Sequence, residues 1–325
     1  MSETAKSVGV DVHAQRVRVF KVQDMLFHQI TLVFAFLVLA GLAGILVSLA
    51  IEATPALREF GVSFLWTNIW SVPDEQFGAL SAIYGTVVSS VIALVIAVPV
   101  SFGIALFLTE TCTVWLRRPL GMAIELLAGI PSIIYGIWGL FVFAPLFSAH
   151  VQPLLQAVLG DVPVLGGWFS GPPIGIGILT AGIVLSLMVI PFVASVMRDV
   201  FETVPAPLKE SAYGVGCTTW EVVVHVVFPY TRVGVIGGIM LGLGRALGET
   251  MAVTFVIGNA NRIVGSLFAP GTSIASTLAN EFGEADPGLH ISSLFTLGLV
   301  LFVITFIVLA ISQWLIKRGV AKQGK

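Results

Sequence analysis

The sequence predicts an all-α membrane protein with six transmembrane helices. Three observations support this fold class: 57% of the 325 residues are hydrophobic, only 10% are charged, and the apolar residues gather in long runs. Ordinary soluble domains carry about 25% charged residues, so this composition is typical of a membrane protein. The formal net charge is only −2, which gives no indication of a nucleic-acid surface.

Six apolar runs are long enough to cross a bilayer, which takes about 20 residues. The first run follows a polar segment, residues 1–25, and has no small-x-small cleavage site, so we interpret it as a retained anchor rather than a signal peptide. The runs are residues 26–51, 79–108, 119–148, 172–197, 231–257 and 292–316.

The distribution of lysine and arginine predicts the orientation, because cytoplasmic flanks hold the positive charge. Thirteen of the 16 basic residues fall in the N-terminal tail, two alternate loops and the C-terminal tail, whereas the intervening loops hold only Arg58 and Arg262. Both termini are therefore expected in the cytoplasm. The resulting division is a cytoplasmic tail (1–25), a first helix with an external segment (26–78), a transmembrane domain (79–317) and a cytoplasmic tail (318–325).

The external connections differ in character. Trp66 and Trp70 in the segment before the second run are expected at the membrane interface. The segment 149–171 is rich in proline and glycine and is expected to be irregular. Within the last connection, "SIASTLANEFGEA" (273–285) predicts a short helix that either lies on the surface or contacts a partner.

The polar loop 198–230 predicts two short helices on the cytoplasmic face. Pro205 suits a helix start and Gly214 a helix stop. The stretch "TTWEVVVHVVF" that follows predicts a second helix, closed by Pro229. A structured helical pair between two spans is expected to be a docking element.

The same loop carries a family motif. Residues 210–229, "ESAYGVGCTTWEVVVHVVFP", resemble the E-A-A-x3-G-x9-I-x-L-P loop of ABC importer permeases. The resemblance implies a type I, MetI-like permease fold whose loop forms a coupling helix seated in a cleft of an ATPase subunit. Glycine also permits the sharp turn between the two helices. The matching positions are Glu210, Ala212, Gly216 and Pro229, while Ser211, Val226 and Phe228 are mild replacements.

Two further stretches resemble the phosphate-specific permeases of the PstC type: "AGIPSIIYGIWGL" (128–140) and "GRALGETMAVTFVIGN" (244–259). The resemblance covers essentially all of 79–317. It implies a non-enzymatic translocation path for phosphate in a bacterial inner membrane, with no cofactor on this chain. The implied partners are a homologous PstA-type permease, two PstB-type subunits that bind ATP and magnesium, and an external PstS-type phosphate-binding protein.

Other functions remain open from the residues alone. An ABC permease for molybdate or sulfate would share the loop motif, and an ion-coupled secondary transporter would share the composition. An intramembrane hydrolase is disfavoured, because the sequence contains neither an H-E-x-x-H pattern nor a G-x-S-x-G elbow.

The fifth run contains two charges, Arg245 and Glu249, although a charge within a span costs at least ~2.5–3.5 kcal/mol. At 100° per residue, both share one helix face with Gly238 and Gly242, whose small size allows close helix approach. The i,i+4 spacing predicts that the two charges pair. Three interpretations compete: an ion pair that holds the bundle together, an anion gate in which Arg245 leaves Glu249 to bind phosphate, and a proton relay through Glu249.

The third run supplies three more candidates. Glu125 is expected to be a buried acid that lies at the inner mouth, contacts the neighbouring permease or makes structural hydrogen bonds. Pro131 is expected to kink the helix and free a carbonyl near the pathway. Tyr135 is expected either to line the pathway or to pack structurally.

Overall fold

The computed structural model describes residues 3–163 and 166–323, and the chain divides into two compact units, Met1–Glu52 and Ala53–Lys325. The first unit is a single helix, α1 (Glu3–Glu52). It includes most of the polar segment 1–25 as well as the first apolar run.

The second unit is helical apart from one short antiparallel hairpin, in which Trp70 pairs with Phe77. Its elements are α2 (Thr54–Phe60), β1 (Trp70–Ser71), β2 (Gln76–Phe77), α3 (Leu80–Leu106), α4 (Val114–Ala128), α5 (Ser132–Trp138), α6 (Ala144–Leu146), α7 (Gln152–Leu159), α8 (Ile178–Glu202), α9 (Ala206–Gly214), α10 (Thr219–Val222), α11 (Phe228–Leu247), α12 (Met251–Ile257), α13 (Ile274–Glu281) and α14 (Leu289–Gln323). The π-helical segment Phe107–Thr111 extends α3. Three further π-helical segments join neighbouring helices into longer ones: Gly139–Phe143, Phe147–Val151 and Val223–Val227.

Six helices within the described residues are long and apolar enough to cross a membrane, which confirms the predicted number. In chain order these spans are Gln23–Glu52, Leu80–Thr111, Ser132–Leu159, Ile178–Glu202, Thr219–Leu247 and Leu289–Arg318.

The fourth span, α8, is the core of the second unit. Its side chains at intervals of four residues form one fully buried stripe against the neighbouring helices: Leu185, Val189, Val193, Met197 and Phe201. Gly182 allows α3 to pack closely, because a Cβ there would lie 2.5 Å from the Ile92 Cγ2 atom. The central position of α8 thus follows from an apolar face that continues along its whole length.

The two ends of this bundle differ. The end at which residues 198–230 lie is called the loop end here, and the end that carries the β-hairpin is called the hairpin end. At the hairpin end a second apolar cluster joins Phe64 and Phe77 to Ile274 and Leu294. The predicted helix within 273–285 is present as α13, but its first half, Ile274–Thr277, is buried, so the expected surface position is wrong for that half.

The predicted third span is wrong at both ends. The run 119–148 is not one helix, because α4 stops at Ala128 and a new helix begins after Pro131, whose backbone (φ −56°, ψ 136°) is not helical. Pro131 therefore starts the third span and does not kink it, as expected for a residue that cannot continue an α-helix. The span then runs on to Leu159, through part of the predicted irregular segment 149–171.

The predicted fifth span is also wrong at both ends. The helix begins at Thr219, and Pro229 lies inside it instead of closing it. A π-turn accommodates the proline, since the Phe228 N–H donates to the Val223 carbonyl five residues back. The helix ends at Leu247 and does not continue to Ile257.

Candidate functional site

The candidate site is built around the interruption of the fifth span. After Leu247 the backbone leaves the helix at Gly248 (φ −90°, ψ 1°), and α12 begins at Met251. The flanking residues Leu247 and Ala252 are at most 3% exposed. Gly248 itself is exposed, so the break is packed against protein on one side and open on the other. A helix break at membrane depth is tolerated where it lines a cavity.

The third span packs directly on the helix that follows the break. A Cβ at Gly136 would lie 2.9 Å from the Met251 carbonyl oxygen and 3.1 Å from the Ala252 Cα atom. On the other side of the break, Gly248 and Thr250 line a cavity of about 520 Å³ together with residues of α13. The break thus lies between a tightly packed helix and an open space.

The predicted pairing of Arg245 with Glu249 is wrong. No ion pair joins them within the described chain, and Glu249 instead accepts a hydrogen bond from the Ala252 N–H at 3.2 Å. The i,i+4 register requires a continuous helix, whereas α11 ends two residues after Arg245. Glu249 therefore satisfies a free amide in the first turn of α12, as a helix-capping carboxylate does.

Arg245 is left without a carboxylate. Its side chain is exposed, and its guanidinium lies 5.5 Å from the centroid of the Phe192 ring. It makes no hydrogen bond or ion pair with any described residue. Tyr135 lies within electrostatic range of it, while the Tyr135 hydroxyl donates to the Leu127 carbonyl at 3.0 Å. The guanidinium donors are therefore available to an anion.

Gly238, Gly242 and Arg245 lie on one face of α11, and this face packs against α8. A Cβ at Gly238 would lie 3.1 Å from the Val196 Cγ1 atom, and one at Gly242 would lie 2.5 Å from the Val193 Cγ2 atom. Arg245 continues the same line and meets Phe192. The structure thus places three of the four predicted residues on one face, and only Glu249 leaves it.

Glu125 lies elsewhere. It belongs to α4, outside the third span, its side chain is 52% exposed, and it accepts a hydrogen bond from Arg198 Nη2 at 2.8 Å. The expectation of a buried acid within a span is therefore wrong, because α4 is a separate helix. The ion pair ties α4 to the end of α8 at the loop end.

Of the two short helices predicted in the docking loop, α9 is a separate helix, whereas α10 is the first turn of the fifth span, so the prediction of a second short helix is wrong. A turn separates α9 from α10. Gly216 in this turn has φ +92°, a conformation that favours glycine. Glu210 is exposed, the Ser211 hydroxyl donates to the Pro207 carbonyl at 2.6 Å, and Ala212 packs against the main apolar core. These positions keep α9 against the bundle and leave one side of it open.

A capping box starts α10 and with it the fifth span. The Thr218 hydroxyl accepts from the Glu221 N–H at 3.4 Å, and the Glu221 carboxylate accepts from the Thr218 N–H at 2.7 Å. This reciprocal pair fixes where α10 begins.

Sequence reasoning missed two features of the loop end. One is the exposure of apolar side chains in a polar loop, with Val215 82% and Trp220 69% exposed. The other is an ion pair between Lys209 Nζ and Glu110 Oε1 at 2.6 Å, with side chains only 19% and 5% exposed. The position of Val215 between two glycines was a visible signal, but nothing in the sequence connects residue 209 to residue 110.

Comparison with known proteins agrees with this geometry. The family model described as "Binding-protein-dependent transport system inner membrane component" matches residues 98–319. A relative from Mesorhizobium japonicum, named phosphate transport system permease protein PstC, is 58% identical over 308 residues, which are 95% of this chain and 94% of the relative.

Solved structures support the fold. A chain of the MetNI methionine ABC transporter in an inward-facing conformation matches with a TM-score of 0.50 and 16% identity, covering 77% of this chain and 99% of that chain. A chain of a bacterial ABC transporter involved in the import of alginate matches with a TM-score of 0.53 and 14% identity, covering 80% of this chain and 88% of that chain. The predicted MetI-like permease fold is therefore confirmed.

The family model covers more than half of the chain, and the relative covers nearly all of it. The resemblance inferred from the motif at 210–229 is thereby confirmed. The chain belongs to the family of binding-protein-dependent transport system inner membrane components.

Proposed function

We propose that this chain is the permease subunit of an ATP-driven importer of inorganic phosphate, and that Arg245 binds the anion on its way through the membrane. The observation that carries the proposal is the unpaired guanidinium of Arg245 beside a helix break that lines a cavity. The name of the relative from Mesorhizobium japonicum supports phosphate as the substrate.

Two structural roles for Arg245 depend on its positive charge but not on the planar shape of the guanidinium group. A positive charge in the last turn of α11 is favoured by the helix dipole, and the contact with Phe192 contributes about 0.5–1 kcal/mol as a cation–π interaction. Neither role needs the planar fork of donors that matches two oxygens of a phosphate. Lysine keeps the positive charge but lacks this fork of donors. Replacement of Arg245 by lysine should therefore preserve the structural roles and weaken anion binding.

The break gives Arg245 its position. Glu249 caps α12, so the carboxylate that the sequence places nearest to Arg245 is directed towards a backbone amide and does not neutralise it. In this arrangement Glu249 holds the break, and neither a proton relay nor an intrahelical ion pair is needed to explain the two charges.

We assign residues 198–230 to the coupling loop that docks on an ATPase subunit. Exposed Val215 supports this role, because it lies outside the spans and an apolar side chain there gains most from burial against a partner. Arg117, Arg198 and Lys209 lie at the same end of the bundle, which supports a cytoplasmic position for this end. The basic residues of the two tails support a cytoplasmic position for both termini of the chain.

The assembly that follows has a second, PstA-type permease, two PstB-type subunits that bind ATP and magnesium, and a PstS-type phosphate-binding protein outside a bacterial inner membrane. In this assembly the present chain makes and breaks no covalent bonds. The family description, which names a binding-protein-dependent transport system, supports this arrangement.

The test is ATP-driven uptake of labelled phosphate by the purified whole complex in proteoliposomes. Loss of charge-assisted hydrogen bonds worth about 1.5–3 kcal/mol predicts that Arg245→Ala lowers uptake by about 10- to 100-fold. Arg245→Lys is expected to restore only part of it. Arg262→Ala is the matched control, since that arginine is exposed and lies outside the helices.

The outcomes separate the alternatives. Normal uptake by an assembled Arg245→Ala complex would refute the anion-binding role. Equal competition by sulfate or molybdate would assign the chain to another oxyanion. Uptake that continues without the ATPase subunits and follows an ion gradient would assign it to the secondary transporters.

A further inference from the structure

We propose that the buried ion pair between Lys209 and Glu110 transmits movement of α9 to the second span, and so couples the docking loop to the helix break beside Arg245. The two residues are positioning residues that do not touch the substrate. The proposal rests on the proposed function only in taking residues 198–230 as the element that an ATPase subunit moves.

The pair connects two elements that are distant in sequence. Lys209 lies on α9, and Glu110 lies in the π-helical segment Phe107–Thr111 that ends the second span. The Nζ–Oε1 distance is 2.6 Å, and the Glu110 side chain is only 5% exposed. Little water screens such a pair, so a displacement of Lys209 acts directly on Glu110.

At the loop end, α9 is attached to three spans in different ways. The chain itself attaches α9 to the fourth and fifth spans, which flank it in sequence. The second span contacts both of them, since the Phe102 ring meets Phe201 at 5.4 Å and Phe228 at 6.0 Å, both edge to face. The Lys209–Glu110 pair adds the direct polar link from α9 to the second span.

The second span carries the displacement to the hairpin end. The helix α3 has 27 residues and extends about 40 Å. Near its start, Gly85 approaches the Thr272 carbonyl so closely that a Cβ would lie 1.8 Å from the oxygen. One residue later, the Thr86 hydroxyl accepts a hydrogen bond from the Ile274 N–H at 2.9 Å. A shift of α3 along its axis therefore displaces residues 272–274.

The last step returns to the helix break. The Gly271 N–H donates to the Ile257 carbonyl at 3.0 Å, at the end of α12. Because α12 begins immediately after the break, this hydrogen bond connects the segment that contains residues 272–274 to the helix that Glu249 caps. A continuous series of contacts thus runs from α9 to the site of Arg245.

Stability alone is a poor explanation for the pair. The cost of removing two charges from water offsets most of their attraction, so an apolar pair of similar size would hold the two elements together equally well. A charged pair, in contrast, fixes both the partner and the register of the contact. The location of the pair, between a docking helix and a span, is where such a fixed register is needed.

The experiment measures phosphate transported per ATP hydrolysed by the purified whole complex in proteoliposomes. We expect Lys209→Met and Glu110→Gln to lower this ratio about tenfold or more, while the ATPase subunits stay bound and continue to hydrolyse ATP. The reversed pair, Lys209→Glu with Glu110→Lys, is expected to recover at least about half of the ratio. Glu59→Gln, at an exposed carboxylate on α2 and outside the docking loop, is the control that leaves the ratio unchanged.

Several results would overturn the proposal. They are an unchanged ratio in both single variants, loss of the ATPase subunits from those variants, and an assembled reversed pair that does not recover. If the reversed pair does not assemble, Lys209→Arg is the deciding variant. It retains the positive charge and must therefore keep the ratio of phosphate transported to ATP hydrolysed; a lowered ratio in this variant refutes the proposal. A wild-type complex that transports no phosphate would instead refute the proposed function.

Discussion

Replacing Gly85 with alanine tests the closest contact between the second span and the hairpin end. The added Cβ would lie 1.8 Å from the Thr272 carbonyl oxygen, whereas ordinary van der Waals contact begins at 3.4 Å. The two backbones must therefore separate by about 1.6 Å, the difference between these distances. The neighbouring bond from the Ile274 N–H to the Thr86 hydroxyl opposes that movement.

The expected cost follows from two opposing effects. Overpacking in a close-packed interior typically costs about 1–3 kcal/mol, and a clash between backbones belongs at the upper end of that range. Alanine also regains up to about 1 kcal/mol of helix propensity over glycine. The net loss is therefore about 2 kcal/mol in the free energy of unfolding.

The assay is the apparent unfolding temperature of the purified whole complex in detergent. A loss of this size lowers it by about 4–8 °C, on the scale of medium-sized domains. The matched control is Gly103→Ala on the same helix, where a Cβ meets nothing within 4 Å. That variant gains the helix propensity without the clash and is expected to match or exceed the wild type.

An equal unfolding temperature for Gly85→Ala and Gly103→Ala would refute the reasoning. It would show that the segment around Thr272 yields without cost and that the second span does not hold it. The series of contacts from α9 to the break would then be interrupted at this point.

Three further changes test separate contacts. Trp70→Phe removes the indole N–H that donates to Glu281 Oε2 at 2.7 Å, and is expected to lower the free energy of unfolding by about 1.5–3 kcal/mol in thermal denaturation; no change would contradict the role of this bond at the hairpin end. Thr218→Ala removes the capping box and is expected to cost about 1 kcal/mol, seen as faster hydrogen exchange in α10, whereas Thr219→Ala is the neighbouring control without a cap. Val215→Glu is expected to release the ATPase subunits, because it places a charge in the apolar docking surface; size-exclusion chromatography measures the release. Val215 is exposed, so its replacement leaves the fold of the permease itself unaffected. Full retention of the ATPase subunits would exclude Val215 from the docking surface.

Hydropathy and local motifs predicted much of this chain correctly. Six spans follow from apolar runs alone, because a bilayer imposes a minimum length on any crossing helix. The helix start after Pro205 and the stop at Gly214 follow from the backbone limits of proline and glycine. Even the shared face of Gly242 and Arg245 follows from helix periodicity, since both lie on α11.

Periodicity did not reveal where that helix stops. Gly248 lies within an apolar run, and a single glycine there is compatible with an unbroken helix. The break exists beside contacts from other elements, such as the approach of Gly136 to the Met251 backbone, and these elements are remote in sequence. For the same reason the partner of Glu249 was predicted wrongly.

The remaining differences have the same physical origin. Glu125 faces Arg198 in an exposed ion pair, and Lys209 faces Glu110 in a buried one, although the residues of each pair are far apart in the chain. Composition and apolar run length correctly predicted the number of spans, and the sequence also gives the residues that carry charge, because neither depends on how the helices pack. Which charges meet, and which, like Arg245, remain available, follows from the packing of helices that are separate in the chain, so it is visible in the folded structure alone.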